Sequence, residues 1–434
     1  MQAQRIVIIG TGSAVFGPGL LAGAIGQSEQ AGSTLVLLGH TPGRLEITRA
    51  LAARMIAENG ADLRVVATLD AGEALDGADF VVSAISVGGL AARRIDVEVP
   101  LEYGIVQTKG DSVGPGGITR ALRTIPPLLM VAKEMRRRCP EAWLLNYSNP
   151  LTPICRALSQ ATGVKVAGLC DGVAMARTFL AGYLGVAPDR LTATCAGVNH
   201  ASWLNEILVD GADAYPLLWE QLERVGATAE PVSFDLLRIY GRYPSPADIH
   251  VAEFYPSYLN AASKGGRDWG LFPWPADQFI QARAADDEKV RQQAMGQVAL
   301  QPVAAAVGEI AMAMDLVAAM VGGRPAMSFT ANLPNDGQVP NLPRGLVVEM
   351  PAVAGSGAIR GQAAGNLPAG IAAVCGARLA QQELIVEAAL TGDRRIALQS
   401  ILADPLAASL TTGQAREMLD RLLKAHEGYL PQFN

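Results

Sequence analysis

The sequence predicts an α/β protein built on a doubly wound parallel sheet, joined to an interlocked α+β domain for substrate binding and oligomerisation. Three observations predict it. Short apolar runs bounded by turn formers recur from Arg5 to Val198, as buried strands do. Helix-length segments alternate with them, which favours parallel crossovers. The first run ends in Gly10-Thr11-Gly12-Ser13, a glycine turn leading into a helix. The expected division is residues 1–200 for the sheet with a dinucleotide site and 201–434 for the second domain.

The elements follow in order. Arg5–Ile9 reads as a strand, the turn at Gly10, Gly12 and Ser13 as a Rossmann-like phosphate site, and Leu20–Ile25 as the helix behind it. Thr34–Leu38 is the second strand. An acidic residue normally ends it and holds the adenosine ribose hydroxyls, but here the tip is Gly39-His40-Thr41, with Arg44 close behind. His40 is kept as a cofactor contact, and the cofactor is expected to be NAD, with NADP left open. Arg64–Thr68 and Phe80–Ile85 are the next strands. Residues 103–117 read as a long glycine loop carrying Lys109 and Asp111, and loops of this length are usually functional. Ile125–Arg138 is an amphipathic helix that crosses to a strand at Leu144. Val164–Leu169 and Leu191–Val198 continue the alternation. Beyond Trp203, Leu217–Val225, Phe234–Tyr240, Asp286–Met320, Leu367–Leu390 and Ala415–His426 read as helices, with a break at Pro302, and Leu346–Met350 as a strand. Asp248 caps a helix after a Pro-rich loop in the plainest reading, with Glu253 solvated on it.

Half of the 434 residues are hydrophobic, ample for a large core. A net charge of −6 argues against a nucleic-acid partner. Five cysteines form no disulfide framework, so a cytoplasmic location is expected. The uncharged run from Ile6 to Ser28 is explained by a strand, a glycine turn and a helix rather than a membrane span.

Three polar clusters end apolar runs: Asn146-Tyr-Ser-Asn149-Pro150, Gly168-Leu-Cys170-Asp171, and Gly197-Val-Asn199-His200. Polar groups at strand carboxyl ends face the ligand crevice of open α/β sheets. Cys170 and His200 offer a thiolate and an imidazole to one divalent metal. Taken singly, the cysteine is more often a small buried hydrophobe and the histidine hydrogen-bonded scaffold.

These motifs together resemble glycoside hydrolase family 4, the NAD- and metal-dependent glycosidases. The resemblance covers nearly the whole chain. It includes Val87-Gly-Gly89 with Arg93 and Asp96, Gly114-Pro-Gly-Gly117, Leu122-Arg123-Thr-Ile-Pro126, Asn335-Asp-Gly337, Asn341-Leu-Pro343, Val348-Glu-Met-Pro351 and Val386-Glu-Ala-Ala-Leu390. It implies glycoside cleavage by oxidation at C3 of the sugar, elimination across C1 and C2, addition of water and reduction. Mn2+ would bind through Cys170 and His200. Asn146 would contact the cofactor, and Asn149 and Asn199 would orient sugar or metal-bound oxygens. Asp171 is the implied general acid. Asp248 is the favoured C2 base, with His250 and Tyr255 as rivals. A homodimer or homotetramer acting on a small glycoside is expected.

The chain departs from the family pattern. Ser86 stands where many members have Arg, and the glycine loop is about two residues longer. The Cys170-Asp-Gly-Val173 tetrad matches none of the main substrate groups. An anionic sugar (6-phospho, uronic or 6-sulfo) is therefore expected, with Arg93, Lys109 and Arg267 as anion contacts and Asp111 beside them, although a neutral α-glycoside stays open. Two rivals remain. An NAD-dependent dehydrogenase of a hydroxy acid or sugar would accumulate NADH, and a nucleotide-sensing protein would have lost catalysis.

Overall fold

A computed structural model describes residues 3–12, 16–227, 229–302 and 309–433, and Ser13 lies outside the described residues. Thirteen strands form one sheet. β1 (Arg5–Ile9), β2 (Thr34–Leu38), β3 (Arg64–Thr68), β4 (Phe80–Ser83), β5 (Trp143–Asn146) and β6 (Lys165–Leu169) lie in the order β3-β2-β1-β4-β5-β6, every neighbouring pair parallel. Their sequences are runs of Val, Ile and Leu because helices cover both faces; β1 and β2 each bury four of five residues. This strand order places ligand crevices at the strand carboxyl ends.

The sheet does not stop at β6. β11 (Met327–Pro334) adds antiparallel to it, followed by β12 (Val347–Gly355), β7 (Leu191–Val198), β8 (Ala201–Val209) and β10 (Tyr243–Ser245). β9 (Ala212–Asp213) and β13 (Ala358–Gly361) pair off this path. The expected continuation of parallel strands to residue 200 is thus corrected. β7 is antiparallel, because Asn199-His200 closes a tight hairpin between it and β8. A single sheet carries both halves of the chain.

The helix Gly114–Arg138 begins inside the expected glycine loop. Its first N–H groups are satisfied from a distance: Gly114 N donates to Asp404 Oδ2 at 2.9 Å and Gly116 N to Gln107 Oε1 at 3.0 Å. A side chain at Gly116 would meet the Asp96 carbonyl at 2.5 Å, so glycine allows this close packing. Behind it, Asp96 is fully buried, bonded by Arg123, Thr119 and His426. That network fastens the C-terminal helix Thr412–Ala425 to the two helices that flank the site, Gly89–Glu102 and Gly114–Arg138. Among the described residues no disulfide joins two cysteines, and no helix is long and apolar enough to cross a membrane.

Candidate active site

The glycine turn after β1 has the form a dinucleotide needs. Gly10 has φ +94°, and a Cβ there would lie 2.5 Å from the Ala84 carbonyl oxygen, so only glycine lets β1 and β4 close on the turn. The helix Phe16–Ile25 follows it. His40 lies exposed beyond the tip of β2. Asn146 is different from its expectation. Its amide donates to the Ser148 carbonyl at 3.0 Å and its Oδ1 accepts from Ser148 N at 3.1 Å, so this buried side chain shapes the turn after β5.

The hairpin between β7 and β8 presents His200, whose φ of +67° is costly for a residue with a side chain. Glu349 on β12 holds this turn from beneath. It is buried and accepts from Asn199 Nδ2 at 2.9 Å, Ser202 Oγ at 2.6 Å and Asn332 Nδ2 at 3.0 Å. Against His200 lie His250, with the two Nδ1 atoms 3.2 Å apart, and Asp111, 3.6 Å from His200 Nδ1. Ligand atoms of these three residues all fall within 4.8 Å of one another. Nitrogen and oxygen ligands at about 2.1 Å from one metal ion stand roughly 3–3.6 Å apart, so the spacing suits a divalent cation. Protonation agrees. Burial favours a neutral Asp111, but His200 and Arg93 outweigh it and hold the carboxyl well below its usual range. Burial, then His200, pushes His250 well down, leaving a neutral imidazole with a free lone pair.

Two histidines and a carboxylate thus meet where a cysteine and a histidine were expected. Cys170, at the end of β6, is outside this group of three; the Gly172 N–H points at its Sγ from 3.4 Å. Asp171 beside it is half-buried, and burial raises its carboxyl pKa, opposed by His200 and Lys109. Glu253, expected to be solvated, is buried. Its Oε1 accepts from Lys109 N at 2.7 Å and Gly110 N at 2.8 Å, fixing the loop that carries Asp111. Burial and then Asp111 push its carboxyl up to about 8, against the pull of the Lys109 N–H.

Two base candidates are buried among other groups. Asp248 Oδ2 accepts from Val232 N, and its Oδ1 from Ser233 N and Oγ, all at 2.6–2.7 Å. It caps the helix Pro231–Tyr240, and three of its acceptor sites are used there. Tyr255 is buried edge-on against Trp203 and Tyr258, and burial raises its phenol far above the usual range. His250 belongs to the cluster itself.

The anion contacts separate in the same way. Arg93 donates through Nε and Nη2 to the Lys109 carbonyl, lies 3.7 Å from Asp111 and covers the Trp274 ring at 4.1 Å, so it braces the loop. Arg267 is exposed, with no bond to the cluster. The Lys109 ammonium makes no hydrogen bond or ion pair among the described residues. Arg120, passed over in the sequence, donates Nε to the Asn149 carbonyl at 3.0 Å, and burial lowers its pKa to about 10. The Oδ1 atoms of Asn149 and Asn199 are buried without a partner among the described residues, as acceptors waiting for hydroxyls would be. Glu349 had a signal, a lone acid in an apolar strand; Arg120 had none apart from its three-residue spacing to Arg123.

Comparison with known proteins places this geometry. Residues 5–186 match the model of the family 4 glycosyl hydrolases and residues 195–407 that of their C-terminal domain. An α-galactosidase of Bacillus subtilis (strain 168) is 30% identical over 99% of this chain and 100% of its own. An α-galacturonidase of the same organism is 31% identical over 81% of this chain and 82% of its own. The crystal structure of a 6-phospho-α-glucosidase from gut microorganisms, in complex with NAD and Mn2+, superposes with a TM-score of 0.85 at 21% identity, covering 100% of both chains.

Proposed function

Because the chain belongs to family 4 of the glycosyl hydrolases and is a glycosidase, we propose that it cleaves an α-glycoside bearing an anionic group at C6, using a recycled nicotinamide dinucleotide and Mn2+. The observation that carries the reading is the meeting of Asp111, His200 and His250 on the sheet whose first strand ends in the glycine turn. When bound, the dinucleotide would take and return hydride at C3 while the metal polarised the sugar oxygens beside it.

The chain's own residues supply the rest. His200, His250 and Asp111 hold the cation. Asn149 and Asn199 accept from sugar hydroxyls, Asn199 being fixed by Glu349. Burial raises the Asp171 carboxyl above its ordinary value, which suits it to deliver a proton to the leaving oxygen. Lys109, whose ammonium is uncommitted among the described residues, and Arg120, bonded to the Asn149 carbonyl, meet the C6 anion.

The test is a panel of aryl α-glycosides (galactoside, galacturonide, 6-phosphoglucoside and 6-sulfoglucoside) with NAD+ and Mn2+. An anionic member should be cleaved with kcat/KM at least about tenfold above the neutral galactoside, and Lys109→Met should shrink the gap. Preference for the neutral sugar would remove the C6 reading. Stoichiometric NADH without cleavage would make the chain a dehydrogenase.

A further inference from the structure

We infer that the adenosine-ribose pocket accepts a 2′-phosphate, so that this chain binds NADP+ at least as readily as NAD+, with Arg44 reading the phosphate. The inference rests on the dinucleotide reading above and adds a choice between two cofactors.

In a fold of this strand order the adenosine ribose lies over the end of the second strand. A carboxylate there accepts from the ribose hydroxyls and repels a 2′-phosphate, whereas an arginine nearby accommodates it. β2 ends at Leu38, and residues 39–45 contain no acid: Gly39, His40, Thr41, Pro42, Gly43, Arg44 and Leu45. A side chain at Gly39 would meet Leu45 at 3.2 Å, so packing disfavours an acid at the position that would carry it. The nearby carboxylates are engaged elsewhere. Glu46 is bonded through both oxygens to Arg49, Asp70 caps its own helix through Glu73 N at 2.8 Å, and Glu73 accepts from Thr68 Oγ1 at 2.6 Å.

Arg44 is placed for the task. It starts from the helix Pro42–Asn59 and turns back over the glycine turn of β1, where Nη1 lies 3.3 Å from the Gly12 carbonyl oxygen. Its Cβ and Cδ lie 3.6 and 3.7 Å from where a Cβ on Gly12 would be. The side chain therefore runs from the helix that follows the tip of β2 to the turn where the pyrophosphate would cross. It has five donors, and two bonds use them: the one to Gly12 and one from Nη2 to Asp287 at 3.2 Å. The side chain is 61% exposed, so the pair with Asp287 is a weak surface contact that a dianionic phosphate can displace. His40, exposed at the same tip, offers a further donor.

The test is calorimetric titration of the full chain with NAD+ and with NADP+, without sugar. Wild type should bind NADP+ with a Kd no weaker than that for NAD+. Arg44→Met should raise the NADP+ Kd by about tenfold or more relative to the NAD+ Kd, the scale of a lost charged hydrogen bond. Asp287→Asn, which frees the guanidinium, should move the ratio the other way, and thermal melts should confirm that both variants fold. Wild-type preference for NAD+ by about tenfold or more, or equal effects of Arg44→Met on both ligands, overturns the inference while leaving the glycosidase reading standing. Failure of both ligands to bind removes the dinucleotide reading and the inference with it.

Discussion

Replacing Glu253 by glutamine should change how stability depends on pH, and the burial of this carboxyl sets the sign. The folded chain holds this carboxyl's proton up to about 8, because burial and Asp111 oppose its charge; the ordinary value is 4.5. The unfolded chain therefore releases the proton first, and stability falls as pH rises from about 5 to about 8, then levels off. A displacement of that size is worth at most about 4–5 kcal/mol, and relaxation of the site leaves roughly 2 kcal/mol as the working figure. Glu253→Gln keeps a carbonyl oxygen for the Lys109 and Gly110 N–H groups but has nothing to titrate. The variant should thus gain roughly 2 kcal/mol over wild type between pH 5 and pH 8. His250 contributes a trend of opposite sign below its ordinary value, but it is present in both proteins and cancels in the difference. Urea unfolding at several pH values in chelator-treated protein measures it. Glu253→Ala, which orphans two buried N–H groups, should lose about 1–3 kcal/mol per group at every pH. Parallel stability curves for wild type and Glu253→Gln would refute the claim that burial holds this proton.

Three further outcomes are expected. His200→Ala, Asp111→Asn and His250→Gln should each weaken Mn2+ binding, read by electron paramagnetic resonance of the free ion, by about tenfold or more; Cys170→Ser should weaken it less, and a larger loss for the cysteine would return the site to a thiolate. Cleavage in D2O should place deuterium at C2 of the released sugar, and its absence would exclude proton abstraction at C2. Asp248→Asn should cost about 1–2 kcal/mol of stability through the cap on Pro231–Tyr240 and leave that exchange intact; loss of exchange in a folded variant would restore Asp248 as the base.

What was legible in the sequence is what burial writes into it. β1, β2, β3 and β7 have the ends expected for them; in β1 and β2 this is because a strand covered on both faces is apolar nearly from end to end. The direction of β7 was not legible. Leu191–Val198 is apolar in either orientation, and its pairing is decided by the two residues after it, which read as a site motif before they read as a turn. The start of Gly114–Arg138 was hidden for a related reason. Gly114-Pro-Gly-Gly has little helix propensity, and the acid that secures its first N–H, Asp404, stands 290 residues away. The site shows the same division. Asp111, His200 and His250 each stood out by residue type, but they were assigned to sugar, metal and base respectively. Residue type shows that a side chain has chemistry, and only the fold shows which chemistry it shares. The 3.2 Å between two imidazoles depends on a hairpin with φ +67° at His200, and on a second segment brought to it partly by the bond from Thr108 Oγ1 to the Ile249 carbonyl. Of the two acids that fix those pieces, Glu253 looks like an ordinary solvated acid in the sequence, and Glu349 stands out only as a lone acid in an apolar strand. Their burial is what turns them into supports, so the residues that position this site were harder to see than the residues positioned by them.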